Sequence, residues 1–244
     1  MSFDFRGHGY NTLSHGEDLS VETLINDTVE VLQYINTTFP EDNIIILGHS
    51  MGGSVATKAC GFVLKQKDKY PELYDKIQGL IMIDIVEGTA MDALPFMENI
   101  VNNRPPSFES MNKAIEYMFK SGTIKNSESA RISVPPLLKE VKKGGKTVYE
   151  WKTDLMASQK YWTEWFNGLT KAFLSVKIPK ILMLAGIERL DKELTIAQMQ
   201  GKFQLSVVNN VGHVIHEDNP ERVFQIIEEF IHIFRIKTNS VCCK

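Results

Sequence analysis

Hydrophobic residues along this chain recur at two spacings, which predict helices alternating with buried strands. From Leu19 to Phe39 the apolar positions recur mostly at steps of three and four, as on one face of a helix. Ser20 is suited to cap the start of this helix, and Pro40 follows its end. Short apolar runs bounded by turn residues predict strands, and those rich in β-branched residues are typical of strands buried on both faces. The predicted strands are Met1–Phe5, Ile44–Leu47, Leu80–Val86, Lys180–Gly186 and Phe203–Val208.

The alternation of strands and helices predicts a mostly parallel sheet with helices on both faces. Helical spacing resumes at Ser54–Lys65 and Lys192–Gln200, and a last helix begins at Pro220 after its cap Asn219. The segment 87–177 interrupts this rhythm, because it is helix-like, rich in Met and aromatic residues, and broken by Pro-Pro and Gly-Gly pairs. We expect a helical cap there, inserted into a core formed by residues 1–86 and 178–244.

Composition narrows the class of protein. With 244 residues, 43% of them hydrophobic and 23% charged, the chain is long enough for one globular domain with a substantial core. The net charge of −3 includes no basic stripe, which argues against a nucleic-acid partner. No apolar run approaches the roughly 18 residues that a membrane span needs. Cys60, Cys242 and Cys243 imply no disulfide framework, so we expect a reducing, cytoplasmic location, with the nucleus as a further location.

The candidate nucleophile is Ser50, within the run Gly48-His49-Ser50-Met51-Gly52. This run fits the pattern G-x-S-x-G, and it lies between a predicted buried strand and a predicted helix. That strand–turn–helix context is typical of the nucleophile elbow of α/β-hydrolases, where a strained backbone exposes the serine hydroxyl above the sheet. The strain requires very small residues two positions away on each side, and both are glycine.

The candidate base is a histidine, which removes the proton of the serine hydroxyl. In this fold class the acid and then the histidine follow the serine along the chain. His213 comes directly after the last predicted strand, where its loop rises at the same sheet edge as Ser50. His216 is the rival, interpreted as a polar loop residue or a neighbour of the helix cap. His49 is expected to line the site without reacting, and His232 to lie in the last helix, partly solvated.

The acid that orients the histidine remains open at this stage. Asp84 interrupts an apolar strand near its end, where a carboxylate is costly without a partner. Asp191 and Glu188 follow the next strand, where the fold class usually has its acid, but Asp191 is also explained as the cap of a helix. His213 and His216 lack an evident third ligand, so we expect no metal.

Several local runs closely resemble the protein phosphatase methylesterase family, and the similarity extends from Phe3 to about Phe234. These runs are GHSMGG, MIDIVEGTAMDALPFM, ESARIS, KYWTEWFNGLTKAFLS, LAGIERLDKELTIAQMQGKFQ and VGHVIHED. The resemblance implies an α/β-hydrolase fold and a catalytic triad of Ser50, Asp84 and His213, which favours Asp84 as the acid.

The resemblance also implies a substrate and a mechanism. The family removes the methyl ester from the C-terminal leucine of the type 2A protein phosphatase catalytic subunit, and the reaction needs no cofactor. The phosphatase is therefore the implied partner, and the cap is the implied groove for its C-terminal tail. The backbone N–H of Met51 is expected to stabilise the oxyanion of an acyl-enzyme mechanism.

The chain departs from the family pattern at its start. Family members have a long segment before the DFRGHG run, which contains the first core strands and a loop that supplies a second oxyanion donor. Loss of one such donor costs about 100- to 1000-fold in turnover. We therefore expect the 244-residue chain to be unstable or weakly active. The loop from Lys142 to Thr147 is also short where some members carry a long charged insertion.

Two alternative functions are also consistent with the sequence. The first is an esterase or lipase that acts on small lipophilic esters and has a wide apolar groove. The second is a catalytically impaired protein that binds the phosphatase without turnover, which the absent oxyanion loop favours.

Overall fold

A computed structural model describes residues 1–11 and 18–237 of the chain. Cys242 and Cys243, together with His15, lie outside the described residues. The strands within these ranges are β1 (Ile44–His49), β2 (Ile77–Ile83), β3 (Ser107–Phe108), β4 (Leu138–Lys143), β5 (Lys146–Trp151), β6 (Lys180–Leu184) and β7 (Gln204–Val207). The α-helices are α1 (Val21–Thr38), α2 (Met51–Lys65), α3 (Pro71–Lys76), α4 (Glu87–Asn102), α5 (Met111–Lys120), α6 (Ser127–Ser133), α7 (Trp162–Phe166), α8 (Leu169–Ser175), α9 (Lys192–Met199), α10 (Ile215–Asp218) and α11 (Pro220–Ile233).

The larger sheet has four parallel strands in the order β1-β2-β6-β7. Its register places Leu47 opposite Ile81 and Ile83 opposite Met183, so β1, β2 and β6 end close together at one edge. Strand order and direction confirm the predicted parallel α/β sheet. Because parallel strands present their carboxyl ends at the same edge, the loops after β1 and β2 meet there.

Helices cover both faces of this sheet, as predicted. Side chains alternate along β2, so that Leu80 and Met82 belong to a core shared with α1, α2 and α8. Ile81 and Ile83 belong to a second core, shared with α11. Burial on both faces explains why this strand reads as a continuous apolar run and not as an alternating one.

The prediction of a strand at Met1–Phe5 is wrong. These residues form no strand, and a tight turn follows at Arg6–Gly9. A strand is held by ladder hydrogen bonds to a neighbour, and among the described residues this segment has none. Its Phe5 ring packs on the core instead. Strand β1 lies at the sheet edge, so Leu47 is 46% exposed and the expectation of burial on both faces fails there.

The segment between β2 and β6 is less helical than predicted. It contains a three-stranded antiparallel sheet in the order β3-β5-β4, in addition to helices α4 to α8. The glycine pair Gly144-Gly145, interpreted from the sequence as an interruption, forms the two-residue turn between β4 and β5. Both residues have positive φ values, 56° and 80°, which a tight hairpin turn of this length requires.

Candidate active site

Ser50 lies at a sharp turn between β1 and α2. Its backbone has φ 52° and ψ −124°, a conformation that residues other than glycine rarely adopt. The turn is held by a hydrogen bond from the Ser50 N–H to the Ile83 carbonyl, at 3.0 Å, and by one from the Gly53 N–H to the Ser50 carbonyl, at 2.9 Å. The predicted strand–turn–helix context of Ser50 is therefore present, with the strained backbone of a nucleophile elbow.

The two glycines that flank the elbow are not equivalent. A Cβ on Gly48 would lie 2.2 Å from the Gly52 carbonyl oxygen, so any larger residue would collide with backbone. A Cβ on Gly52 would meet only the Phe5 ring, at 3.9 Å, which is an ordinary contact. The expectation that both positions need very small residues is thus correct for Gly48 and wrong for Gly52. Gly53 is the second tight position, because a Cβ there would lie 2.9 Å from the Gly48 carbonyl oxygen.

Helix α2 begins at Met51, three residues earlier than predicted. Gly52 and Gly53 suggested a turn in the sequence, whereas both lie in the first helical turn. The first amides of an α-helix have no acceptor within the helix, so the Met51 N–H points from a helix end that favours negative charge. This amide follows Ser50 directly, as an oxyanion donor must.

Asp84 follows the end of β2 and has no exposed surface. Its Oδ1 accepts a hydrogen bond from the Ala185 N–H at 2.9 Å, and its Oδ2 lies 2.8 Å from His213 Nδ1. Because a carboxylate only accepts hydrogen bonds, this contact places the imidazole proton on Nδ1 and leaves Nε2 free to accept one. His213 is therefore one partner of this buried carboxylate, and Arg189 is a second, with Nη1 2.8 Å from Oδ2.

The two rival acids are placed differently. Asp191 caps helix α9, since its Oδ1 accepts from the Leu194 N–H at 2.8 Å. Glu188 is an exposed residue of a short 3₁₀ turn. Of the three candidate acids, Asp84 is therefore the one in contact with His213.

His49 does not line the site as expected, because its ring lies beside His213 and His216. The ring centroids are 4.6 Å and 4.8 Å away, and His49 Nε2 is 2.8 Å from the His213 carbonyl oxygen. Burial, followed by the neighbouring His213 and His216, lowers the pKa of His49 to about 3. His49 is therefore neutral near pH 7, with its proton on Nε2, and it donates to the carbonyl of the candidate base.

The other histidines stand outside the contact between His213 and Asp84. His216 lies in the short helix α10, and burial, followed by His213, lowers its pKa. His232 is exposed on α11, as predicted. In the described part of the chain no group of three His, Cys, Asp or Glu residues is arranged to hold a metal ion.

Ser50, Asp84 and His213 all line one cavity of about 630 Å³. No hydrogen bond joins the Ser50 hydroxyl to His213 among the described residues, and such contacts often form only when substrate binds. Most of the wall is apolar and comes from α4 and the segment around α7. Representative lining residues are Ala90, Leu94, Met97, Leu155, Trp162 and Phe166.

Sequence reasoning missed two ionisable residues of this cavity, Arg189 and His8. Arg189 forms an ion pair with Asp84, with Nη1 2.8 Å from Oδ2. His8 comes from the N-terminal end of the chain and also lines the cavity. Its Nδ1 lies 2.9 Å from the Arg6 carbonyl oxygen. Arg189 lies between the two rival acids along the chain, and nothing in that run distinguishes a cavity arginine from a surface one.

The sequence is similar to that of known hydrolases. The model of the family described as "Alpha/beta hydrolase family" matches residues 1–226. The chain is 38% identical to protein phosphatase methylesterase 1 of Bos taurus, over 95% of this chain and 68% of that protein. It is 40% identical to the protein of the same name in Schizosaccharomyces pombe, over 95% of this chain and 65% of that protein.

Solved structures show a similar fold at low sequence identity. The chain matches an E-2-(acetamidomethylene)succinate hydrolase with a TM-score of 0.70 and 21% identity, over 93% of this chain and 78% of that one. It matches an esterase of Mycobacterium tuberculosis with a TM-score of 0.65 and 16% identity, over 93% and 74% of the two chains. In the described ranges, none of the helices is both long enough and apolar enough to cross a bilayer.

Proposed function

The chain belongs to the protein phosphatase methylesterase family of α/β-hydrolases and is a carboxylic ester hydrolase, and from this we propose its substrate and catalytic residues. The substrate is the methyl ester on the C-terminal leucine of the type 2A protein phosphatase catalytic subunit. The catalytic residues are Ser50, His213 and Asp84. One observation carries the proposal above all others: His213 pairs with buried Asp84 at 2.8 Å and lines the same cavity as the strained Ser50.

The first half of the reaction forms an acyl-enzyme. His213 Nε2 takes the proton of the Ser50 hydroxyl as Oγ attacks the ester carbonyl carbon. Asp84 accepts from Nδ1 and stabilises the positive charge that develops on the imidazole. The Met51 N–H donates to the oxyanion of the tetrahedral intermediate, and the N-terminus of α2 adds a favourable dipole. The intermediate then collapses, and methanol leaves with the proton from His213.

The second half of the reaction releases the leucine carboxylate. Water attacks the acyl carbon as His213 Nε2 removes a proton from the water. The second tetrahedral intermediate then breaks its bond to Ser50 Oγ, which takes that proton back from His213. The balance is one ester and one water consumed, and one carboxylic acid and one methanol formed. Every proton transfer uses a group already present in the site, so the proposal includes no cofactor.

The cavity wall supports an apolar substrate residue. A leucine side chain and a methyl group are both apolar, and the side chains from α4 and the segment around α7 offer them an apolar wall. A cavity of about 630 Å³ is also large enough for more than these groups alone. The C-terminal residue of a protein tail would therefore fit with the residues that precede it.

The direct test uses the phosphatase catalytic subunit carrying a radiolabelled methyl ester. Wild-type chain is expected to release labelled methanol, and Ser50→Ala and His213→Gln to lower the rate by at least about 10³-fold. Circular dichroism and thermal unfolding establish that the variants are folded. Release by Ser50→Ala at the wild-type rate would contradict the proposal.

A second candidate function follows from the same wide apolar cavity, which also suits small lipophilic esters. The two functions separate by the ratio of kcat/KM values for a small aryl ester and for the methylated phosphatase. An esterase of broad specificity would hydrolyse the aryl ester and leave the phosphatase methylated. A folded chain that binds the phosphatase and hydrolyses neither would be the catalytically impaired binding protein.

A further inference from the structure

Arg189 brings a positive charge to a cavity whose wall is mostly apolar. It is the one lysine or arginine that lines the cavity within the described ranges, and it shares the wall with Ser50 and His213. A guanidinium is costly to place on an apolar wall unless its charge has a partner. Asp84 supplies such a partner through one contact, so the remaining donors of the guanidinium need a separate explanation.

The contacts of Arg189 leave most of its hydrogen-bonding capacity unused. Its Nη1 lies 2.8 Å from Asp84 Oδ2, and this is the one polar contact of the side chain to another described residue. A guanidinium carries five N–H donors, and the side chain remains 33% exposed. Asp84, by contrast, is fully buried and also receives His213 and the Ala185 N–H.

The ion pair with Asp84 uses one nitrogen of the guanidinium and leaves its other donors unexplained. Asp84 already has a hydrogen bond on each oxygen, and a guanidinium that served only to balance its charge could be buried with it. Arg189 instead stays 33% exposed and lines the cavity that also holds Ser50, where the proposed reaction converts an ester to a carboxylate. A planar fork of donors is the group that proteins use most often to bind a carboxylate through two parallel hydrogen bonds.

We propose that Arg189 forms a carboxylate-binding site, which holds the acid product of ester hydrolysis beside Ser50. The proposal rests on the ester hydrolysis of the proposed function, and it does not depend on the phosphatase as substrate. A neutral ester offers Arg189 only a weak acceptor, whereas the product offers a full negative charge. The site therefore binds product more tightly than an uncharged analogue of the same shape.

The test compares two ligands that differ in charge. N-acetyl-leucine carries a carboxylate, and N-acetyl-leucinamide is its neutral isostere; each is titrated into the wild-type chain by calorimetry at pH 7.5. We expect the carboxylate to bind at least about tenfold more tightly, because a charge-assisted pair is stronger than a neutral hydrogen bond. Equal affinity for the two ligands in the wild-type chain would overturn the proposal.

Two substitutions assign the preference to Arg189 and not to His213. Arg189→Met should remove the preference for the carboxylate while leaving the amide affinity within about twofold. Arg189→Lys retains the charge but loses the fork, so its carboxylate affinity should fall severalfold. A folded Arg189→Met that still prefers the carboxylate tenfold would overturn the proposal. If Arg189→Met does not fold, an unchanged carboxylate affinity in Arg189→Lys would overturn it instead.

The outcome is separable from that of the proposed function. A chain that leaves methylated phosphatase intact can still show a carboxylate preference that depends on Arg189. Conversely, phosphatase demethylation without any carboxylate preference would leave the proposed function standing and remove the product site.

Discussion

At the scale of single residues, the site depends on two backbone conformations that are rare outside glycine. Ser50 has φ 52° and Asp84 has φ 48°, and they follow the ends of the adjacent strands β1 and β2. Each such conformation costs about 1–3 kcal/mol, which the surrounding hydrogen bonds and packing must offset. The strained turns direct the candidate nucleophile and the candidate acid out of a rigid sheet, which fixes their separation.

The neighbours of Ser50 give a matched pair of substitutions. Gly48→Ala should lower the free energy of unfolding by about 2–3 kcal/mol, because its methyl group would collide with the Gly52 carbonyl. Gly52→Ala should change it by less than about 1 kcal/mol, since the site has room and alanine favours a helix. Urea unfolding of both variants measures the difference. Equal losses in the two would contradict the described geometry of the turn.

His49 predicts how stability depends on pH. The pKa of His49 is lowered to about 3 in the folded chain, mainly by burial and then by His213 and His216, against about 6.5 when unfolded. Between these pH values the unfolded chain binds a proton that the folded chain does not. The free energy of unfolding therefore falls as pH falls below 6.5, by up to about 1.4 kcal/mol per pH unit.

Substitution of His49 should reduce this dependence. His49→Gln, followed by urea unfolding at pH 7, 6 and 5, is expected to show a shallower loss of stability than the wild-type chain. His216 contributes a loss in the same direction, so the slope should not vanish. His232→Gln, at an exposed position of α11, is the control and should keep the wild-type slope. An unchanged slope in His49→Gln would contradict the burial of a neutral His49.

The sequence predicted the site residues to different extents. Ser50 could be identified from the sequence because its motif is typical of a local backbone turn. His213 followed from chain order and from its place after the last strand. The choice between Asp84 and Asp191 stayed open on residue patterns alone, because both follow strands that end at one edge, and the difference is a contact across the sheet. The ion pair of Arg189 with Asp84 is likewise a contact between residues far apart in the sequence, so residue patterns did not predict it.

At the scale of elements, a glutamate from one helix caps another. Helix α8 begins after Gly168, which has φ 74° and no side chain to accept from the first amides. Glu87, at the start of α4, supplies the acceptors: Oε1 binds the Gly168 N–H and Oε2 the Thr170 N–H, each at 2.8 Å. This carboxylate therefore joins the first turn after β2 to the chain that leads into β6.

Removal of this cap should be measurable. Glu87→Ala is expected to lower the free energy of unfolding by about 2 kcal/mol, because two amides lose a charged acceptor. Glu22→Ala is the matched control, since Glu22 also lies in a first helical turn but is exposed, and its loss should stay within about 0.5 kcal/mol. Urea unfolding of both variants tests this, and similar losses would contradict a capping role.

The elements themselves divide into predictable and unpredictable ones. Strands β1, β2 and β6 were predicted because each contains a continuous apolar run. Strand β7 was predicted within a longer apolar segment, although Gln204 and Ser206 interrupt it. The strands β4 and β5 escaped prediction, because their exposed faces carry lysine and glutamate, which weaken the apolar pattern. The error at Met1–Phe5 has another origin: apolar composition suits a strand, but a strand also requires a neighbour, which sequence does not report.

At the scale of the whole molecule, one lysine connects the nucleophile helix α2 to helix α7, which forms part of the cavity wall. Lys58 extends from α2, and its Nζ donates to the carbonyls of Glu164, Trp165 and Asn167 at 2.8, 2.8 and 3.1 Å. These carbonyls end helix α7, where a positive charge is favourable. Because α7 contributes aromatic side chains to the cavity wall, Lys58 fixes part of that wall to the nucleophile helix.

Loss of this connection should loosen the wall without unfolding the core. In Lys58→Met, hydrogen–deuterium exchange is expected to rise in residues 162–175 and to stay low in β2 and β6. Lys65→Met is the control, because Lys65 is exposed on the same helix. Unchanged exchange over α7 in Lys58→Met would contradict the role of Lys58 as a connection between core and cavity wall.

The most direct test of the central claim is the reactivity of Ser50. The purified chain is treated with a fluorophosphonate probe, and the labelled site is mapped by mass spectrometry, with folded Ser50→Ala as the control. The account predicts one label, on Ser50, that is absent from Ser50→Ala and strongly slowed in His213→Gln. A folded wild-type chain that takes no label, or takes it at another residue, would contradict Ser50 as an activated nucleophile.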